Sequence, residues 1–324
     1  MISVVLPCRN EERALPSVIE EVRAALEDYD YEIIVSDSST DRSPVIAEEL
    51  GVTLVKHDKE GYGRAIKEGV AKARGNRVLI ADADSTYDFH DAPRLLGKDQ
   101  DLVIGERSFT RENMGWLHQV GNTLLSLFSN VLFNVWIRDW HCGMRVIRRD
   151  AYERLDLQTE GMEFASEMII KAIRNDLTIG QTTINYRKRR GESKLETWVD
   201  GWRHLRFLVL NAPEKTVYPL AALFFSSFFF LQNRYYQILS LLVSFQLFST
   251  GLYSEIYLHN FLGDEKYHIR KLYDYLNLPI GIGLGAAAIA GSFLIPSRFI
   301  QTATMLGGFH ILTTVYYLSV LGVK

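Results

Sequence analysis

Three aspartates crowd the stretch "LIADADSTYDF", Leu79–Phe89: Asp82, Asp84 and Asp88. The stretch begins as an apolar run, which predicts a buried strand. A strand fixes its backbone, so Asp82 and Asp84, flanking Ala83 at its exit, can converge on one hard cation. Carboxylate oxygens suit Mg²⁺ or Mn²⁺, and such a cation would neutralise a diphosphate. A second candidate is the Gly61–Gly63 turn of "GYGRAIKEGV", which opens a helix. Its backbone N–H groups and the positive end of the helix dipole could meet the same phosphates. Either feature alone is also what an ordinary solvated turn looks like. Their order along one domain is what links them.

The elements that must position these residues alternate in type. "ISVVLP" reads as a buried strand, and "RALPSVIEEVRAALEDY" has helical spacing at Leu15, Val18, Ile19, Val22 and Leu26. "YEIIVSDSSTD" predicts a second strand running into a polar turn, "PVIAEEL" a helix, "VTLVKH" a third strand and "NRVLIADAD" a fourth. The alternation predicts an α/β domain with a mostly parallel sheet. Ligands of such sheets sit at the carboxyl ends of the strands. The polar residues there form the candidate site: Arg9, Asn10 and Glu11; Asp37, Ser38 and Ser39; Asp82 and Asp84.

The chain has 324 residues, enough for a catalytic domain and a further part. A net charge of −3 supplies no field for nucleic acid. Cys8 and Cys142 make neither a disulfide framework nor a zinc site, so a reducing compartment is expected. Met1 leads straight into a strand, with no signal-peptide pattern. After about Asn211 the composition turns aliphatic and aromatic. Four apolar runs, Val217–Leu231, Ile238–Leu258, Leu278–Ile295 and Phe299–Leu321, predict about four membrane helices. Lys266, Arg270 and Lys271 lie between the second and third, against Arg234 and Arg298 in the other connections. That asymmetry predicts a multi-pass protein of the cell membrane with its catalytic domain cytoplasmic. The alternative is a set of buried helices in a soluble fold. The expected organisation is a catalytic domain over 1–196, an interface helix and linker over 197–215, and a membrane domain over 216–324.

Two more segments address the membrane. Gly115–Ile137 is apolar but broken by Asn122, Ser126, Ser129, Asn130 and Asn134, which predicts a helix lying in the interface rather than a span. "TWVDGWRHLRFLVL" puts Trp198, Trp202, Leu205 and Val209 on one face, with Arg203 and Arg206 off it, as at headgroup level. For each, the alternative is an amphipathic helix packed on the sheet.

Together these motifs resemble the family 2 glycosyltransferases of GT-A fold, specifically the polyprenyl-phosphate (dolichyl-phosphate) sugar synthases. "VVLPCRNEE", "IIVSDSSTDRS", "DAD", "GERS", "DWHCGMRVIRRDAY", "GMEFASEMIIKA" and "RRGESKL" match that family's motifs in order, from about Ile2 to Leu195. The resemblance implies that Pro7, Arg9, Glu11 and Asp37 line a nucleoside pocket. It implies that Asp82 faces the ribose and diphosphate and that Asp84 is the main metal ligand. Arg107 would meet an acceptor phosphate, and Lys188, Arg189, Arg190 and Ser193 would close over the diphosphate as a basic flap. Those three bases share the place of a single family arginine. Asp139 is implied as an orienting residue or base, against the alternative of a structural cap for the next turn. Thr86, His118 and Asn122 depart from the mannose-type pattern. With "WHCGMR" they point to the branch using UDP-glucose or UDP-N-acetylglucosamine rather than GDP-mannose.

The implied reaction is an inverting transfer from a nucleotide sugar to a dolichyl or polyprenyl phosphate, giving a β-linked product. Its implied partners are the nucleotide sugar, the lipid phosphate and membrane lipid; a homo-oligomer is compatible with it. A nucleotidyltransferase would need a Gly-rich, Lys-containing loop where "PCRNEE" stands. A processive polysaccharide synthase would need Q-x-x-R-W, which is missing. A lipid-binding scaffold on the same fold would not need "DAD" or "RRGESKL".

Overall fold

In a computed structural model, the structure describes residues 1–58, 61–108, 116–188 and 197–262, with single positions Ala287 and Gly308 beyond. Two compact units are resolved, Met1–Leu205 and Arg206–Lys324.

The first unit is built on β1 (Ile2–Cys8), β2 (Tyr31–Asp37), β3 (Thr53–Lys56), β4 (Arg77–Ile80), β5 (Leu102–Ser108), β6 (Arg145–Arg148) and β7 (Ile179–Asn185). Between them run α1 (Leu15–Ala25), α2 (Ser43–Glu49), α3 (Tyr62–Lys72), α4 (Ala92–Leu96), α5 (Trp116–Phe133), α6 (Arg149–Leu155) and α7 (Phe164–Arg174). Helix α8 is Thr197–Leu210. Leu15, Val18, Ile19, Val22 and Leu26 are all buried, as their spacing predicts. Prolines 16, 44 and 93 stand in the first turns of α1, α2 and α4, where a missing N–H costs nothing.

The sheet order is β3-β2-β1-β4-β6-β5-β7. Six strands run one way and β6 runs against them, antiparallel to both β4 and β5. This reversal positions the site. Arg145, the first residue of β6, lies opposite Ile80 of β4 and Ile104 of β5. The loop entering β6, "DWHCGM", therefore arrives at the edge where β4 delivers Asp82 and Asp84 and β5 delivers Arg107.

Helix α5 is amphipathic with its polar side inward. Asn122, Ser126 and Asn130, four residues apart, face the loop before β6. Val120, Leu124, Leu127 and Val131 form the opposite stripe and are exposed, Val131 at 69% and Leu124 at 60%. Trp136, just beyond, is exposed too. Three of the residues that interrupt this run, Asn122, Ser126 and Asn130, thus serve the loop beside them, whereas the Ser129 hydroxyl donates back to the Leu125 carbonyl at 2.8 Å.

In the second unit, α9 (Val217–Phe230) and α10 (Arg234–Leu262) form a helical hairpin. Gln237 Nε2 donates to the Leu231 carbonyl at 2.8 Å, Ser244 Oγ donates to the Ala221 carbonyl at 2.8 Å, and Tyr218 meets Phe248 at 5.6 Å between ring centroids. The first predicted membrane run forms α9, whose 14 residues reach about 21 Å, short of the roughly 30 Å of a bilayer core. The second run lies inside α10. Among the described residues no helix is long and apolar enough to cross a membrane. The third and fourth predicted runs lie outside the described residues.

Candidate active site

The two leading loops are closed on each other by their own side chains. Cys8 of β1 pairs with Asp37 of β2 in register. Asp37 is buried, and its two carboxylate oxygens accept from Ser39, from the N–H at 3.1 Å and from the hydroxyl at 2.5 Å. The Ser39 hydroxyl in turn accepts from the Asn10 N–H at 2.7 Å. Asn10, in the left-handed region at φ 53°, accepts from the Thr40 N–H at 2.8 Å. Pro7 lies in β1 beside Ser36, Arg9 is exposed, and Glu11 is buried with its N–H bonded to Ser43 Oγ at 3.0 Å. The predicted nucleoside-pocket residues thus sit together at one sheet edge.

After β4 the chain turns sharply at Ser85, φ 63°. Thr86 then reaches back, and its hydroxyl and N–H both donate to Asp84 Oδ1, at 2.5 and 3.0 Å. Thr86 thereby fixes the Asp84 carboxylate, a role its sequence position did not reveal. Ala83 is buried between the two aspartates. Asp82 accepts from the Tyr62 hydroxyl, and burial together with the Asp82 charge pushes that phenol well above its usual pKa. Gly143 passes so close that a Cβ there would lie 2.9 Å from Asp82 Oδ2 and 3.0 Å from the hydroxyls of Tyr62 and Tyr87. Its N–H donates to the Tyr87 hydroxyl at 2.7 Å. A pair of hard carboxylates, one of them locked by a neighbour's hydroxyl, is a donor set that fits a divalent cation.

The Gly61–Gly63 turn requires a correction. The Gly63 and Arg64 N–H groups donate to the carbonyls of Gly161 and Glu160, at 3.3 and 3.1 Å. A Cβ on Gly61 would meet the Glu160 carbonyl oxygen at 2.5 Å, and one on Gly63 would meet Phe164 and Thr159 at 2.7 Å. These glycines let the backbones of α3 and the 159–164 segment touch. Those two N–H groups are consumed there and cannot hold a phosphate.

Arg107 and Asp139 form a buried bidentate pair. Nε donates to Oδ2 at 2.6 Å and Nη2 donates to Oδ1 at 2.9 Å. Their side chains are 9% and 3% exposed. Asn122 Nδ2 and the His141 N–H add donors to Asp139 Oδ1 at 3.1 and 3.2 Å. Burial would raise the Asp139 pKa, but the Arg107 charge and these hydrogen bonds outweigh it and hold the carboxyl below its usual range. Arg107 also lies over the Tyr186 ring, 5.3 Å from its centroid. Its carboxylate partner is thus internal to the protein, where the resemblance implied an acceptor phosphate. Arg145, buried, wraps the same loop by donating to the carbonyls of Cys142 and Trp140 at 2.8 and 2.7 Å, and ties it to α7 by donating to the Ala165 carbonyl at 2.6 Å.

Sequence reasoning passed over His141. Both its ring nitrogens are buried without a hydrogen-bond partner, and its ring meets His204 of α8 edge-on at 4.6 Å. Burial and the His204 charge hold it neutral, well below the usual imidazole pKa. Both cysteines are buried, and burial first, with a nearby aspartate second, pushes each thiol up to about 12. Of the predicted basic flap, Lys188 is exposed, whereas Arg189, Arg190 and Ser193 lie outside the described residues, as do the side chains of His118 and Trp198.

Comparison with known proteins bears on this arrangement. The profile of glycosyl transferase family 2 matches residues 3–156. An uncharacterized glycosyltransferase of Mycobacterium tuberculosis is 30% identical over 59% of this chain and 87% of its own length. The chain belongs to glycosyl transferase family 2. The low-salt glycan biosynthesis hexosyltransferase Agl6 of Haloferax volcanii is 46% identical to this glycosyltransferase over 222 residues, 65% of this chain. The match spans about half, 54%, of that relative. A dolichyl-phosphate hexose transferase of the same organism is 29% identical over 62% of this chain and 89% of its own. Among solved structures, glucosyl-3-phosphoglycerate synthase from Mycobacterium tuberculosis, in complex with Mn²⁺, UDP-glucose and phosphoglyceric acid, shares the GT-A-like α/β fold of this glycosyltransferase. Its TM-score is 0.55 at 22% identity, over 65% of this chain and 79% of that one.

Proposed function

We propose that this glycosyltransferase moves a hexose from a nucleotide sugar to a dolichyl or polyprenyl phosphate at a membrane surface. One observation carries the lipid acceptor: α5 turns its polar stripe to the loop of Asp139 and its apolar stripe, Val120, Leu124, Leu127 and Val131, outward. A helix inverted in this way supports the site from one side and suits an acyl boundary on the other. Trp202 of α8, 63% exposed, adds a residue of the kind that settles among headgroups. The Haloferax volcanii relative that acts with dolichyl phosphate supports the same acceptor. The apolar runs after Asn211 and their basic flanks support a membrane protein with this site on the cytoplasmic face.

A lipid phosphate is anionic near neutral pH and needs no strong base. Asp139, engaged by Arg107 and depressed in pKa, is a poor base and acts by orienting its loop. Asp84, with Asp82 beside it, would hold Mg²⁺ or Mn²⁺, which supplies charge neutralisation to the departing diphosphate when bound. Thr86 and Tyr62 hold those carboxylates in place beforehand. Arg189, Arg190, Lys188 and Ser193 are assigned to the diphosphate. A UDP-sugar is the favoured donor, supported by the fold relative that holds Mn²⁺ with UDP-glucose. GDP-mannose is the alternative. Membranes carrying the protein, given a panel of UDP- and GDP-sugars with a polyprenyl phosphate, test the proposal. Glycolipid formed from UDP-glucose or UDP-N-acetylglucosamine is expected. Transfer that prefers GDP-mannose overturns the donor, and no transfer to any lipid phosphate overturns the acceptor.

A further inference from the structure

We propose that Arg187, gripped by Glu21 of α1 and Asp88, is a positioning residue that fixes the loop of Asp84 against the end of β7. Arg187 immediately precedes Lys188, Arg189 and Arg190, the bases that the resemblance assigns to a diphosphate. Its guanidinium is instead engaged inside the protein. Nη1 donates to Glu21 Oε2 at 3.0 Å, and Nη2 reaches Glu21 Oε1 at 2.9 Å and Asp88 Oδ2 at 2.7 Å. Glu21, Asp88 and His90 hold ligand atoms close enough for a metal ion. Arg187 already supplies the positive charge between the two carboxylates.

The connection to the site runs through three consecutive residues. The Arg187 N–H donates to the Thr86 carbonyl at 2.7 Å. Tyr186 bridges antiparallel to Tyr87, their rings edge-on at 5.5 Å. Asp88 takes the guanidinium. Residues 86–88 therefore lie side by side with residues 186–187, and Thr86 is the residue that holds Asp84 Oδ1. Glu21 also accepts the Phe89 N–H at 3.3 Å, so it ties down the far end of the same loop.

Magnitudes argue that stability is not what the grip provides. Arg187 is 44% exposed, against 15% for Glu21 and 19% for Asp88, so water at the guanidinium screens both pairs and limits what they add to stability. A guanidinium that is bidentate to one carboxylate and bridged to a second fixes geometry more than it adds energy. The gain is in the placing of Asp84 rather than in the folding of the domain.

The inference rests on the assignment of Asp84 to the metal of the donor. Its test uses the full-length protein with Glu21→Gln, Arg187→Gln and the conservative Arg187→Lys. Calorimetry reads the affinity for UDP in Mn²⁺, and thermal unfolding without ligand reads stability. Glu21→Gln and Arg187→Gln should each weaken Mn²⁺-dependent UDP binding by about tenfold, the scale of one charge-assisted hydrogen bond. Their unfolding temperatures should stay near wild type, and Arg187→Lys should recover part of the affinity. Unchanged UDP affinity in both Gln variants overturns the inference, whatever their stability. A wild type that binds UDP no better with Mn²⁺ than without it would instead overturn the metal assignment underneath.

Discussion

Replacing Asp139 by asparagine separates two roles for this residue. The substitution keeps the shape of the side chain and removes its charge. Arg107 then remains a cation with its side chain 9% exposed and its two contacts, at 2.6 and 2.9 Å, no longer ionic. Stranding one partner of a buried pair costs about 3–5 kcal/mol, against about 0–1 kcal/mol for a surface pair. The lower end of that range applies, because asparagine can still accept from the guanidinium. At roughly 2–4 °C per kcal/mol for a unit of this size, about 3 kcal/mol lowers the unfolding temperature by about 6–12 °C. Adding Arg107→Met removes the stranded charge and should recover part of the loss. Thermal unfolding by circular dichroism reads the stability, and turnover against pH reads the role. An orienting Asp139 leaves the residual activity with the wild-type pH profile. A fall of less than about 2 °C would mean the pair behaves as if solvated. Loss of the acid limb of the profile would restore Asp139 as a base.

Gly143→Ala should cost about 1–3 kcal/mol by forcing the Asp82 carboxylate and two tyrosine hydroxyls from a new Cβ, and unfolding with metal titration checks that affinity falls along with stability. Thr86→Val removes the hydroxyl bond to Asp84 Oδ1 and keeps the N–H bond, so the metal concentration for half-maximal turnover should rise several-fold, about 1 kcal/mol. Because the Asp139 carboxyl is depressed when folded, its stabilisation is whole above about pH 4, the range of an unfolded carboxyl, and is lost only as pH falls through the lower folded value. Unfolding from about pH 7 to about pH 2 should show wild type losing this advantage over Asp139→Asn only at the acid end.

The strand ends that carry the candidate site were legible from local pattern alone. β1, β2 and β4 are apolar runs with abrupt polar exits, and the exits coincide because parallel strands share a carboxyl edge. The reversal of β6 was not legible: "RVIR" carries no mark of direction, and pairing with β4 and β5 decides it. The α5 stripe of Asn122, Ser126 and Asn130 was visible as interruptions, and its four-residue spacing shows which face turns inward. The Gly61–Gly63 turn misled because close backbone packing and anion binding ask the same freedom of glycine. The grip on Arg187 was out of reach, since its partner Glu21 lies 166 positions away and shares no motif with it.

The position of β7 has a consequence for how the domain is made. β3, β2, β1 and β4 occupy one half of the sheet and come from the first 80 residues. They can pair as soon as they leave the ribosome. The other half is threaded out of chain order, and its outermost strand is also the last of the described strands to be synthesised. At roughly 5–20 residues per second, several seconds separate the emergence of Asp84 from that of Arg187. During that interval the nascent chain has a nearly finished β3-β2-β1-β4 half and an acidic loop without the Arg187 counter-ion that follows β7. A ribosome stalled before β7 would hold a folding intermediate with the β5 edge unpaired, exposed to chaperones and proteases until the final strand docks.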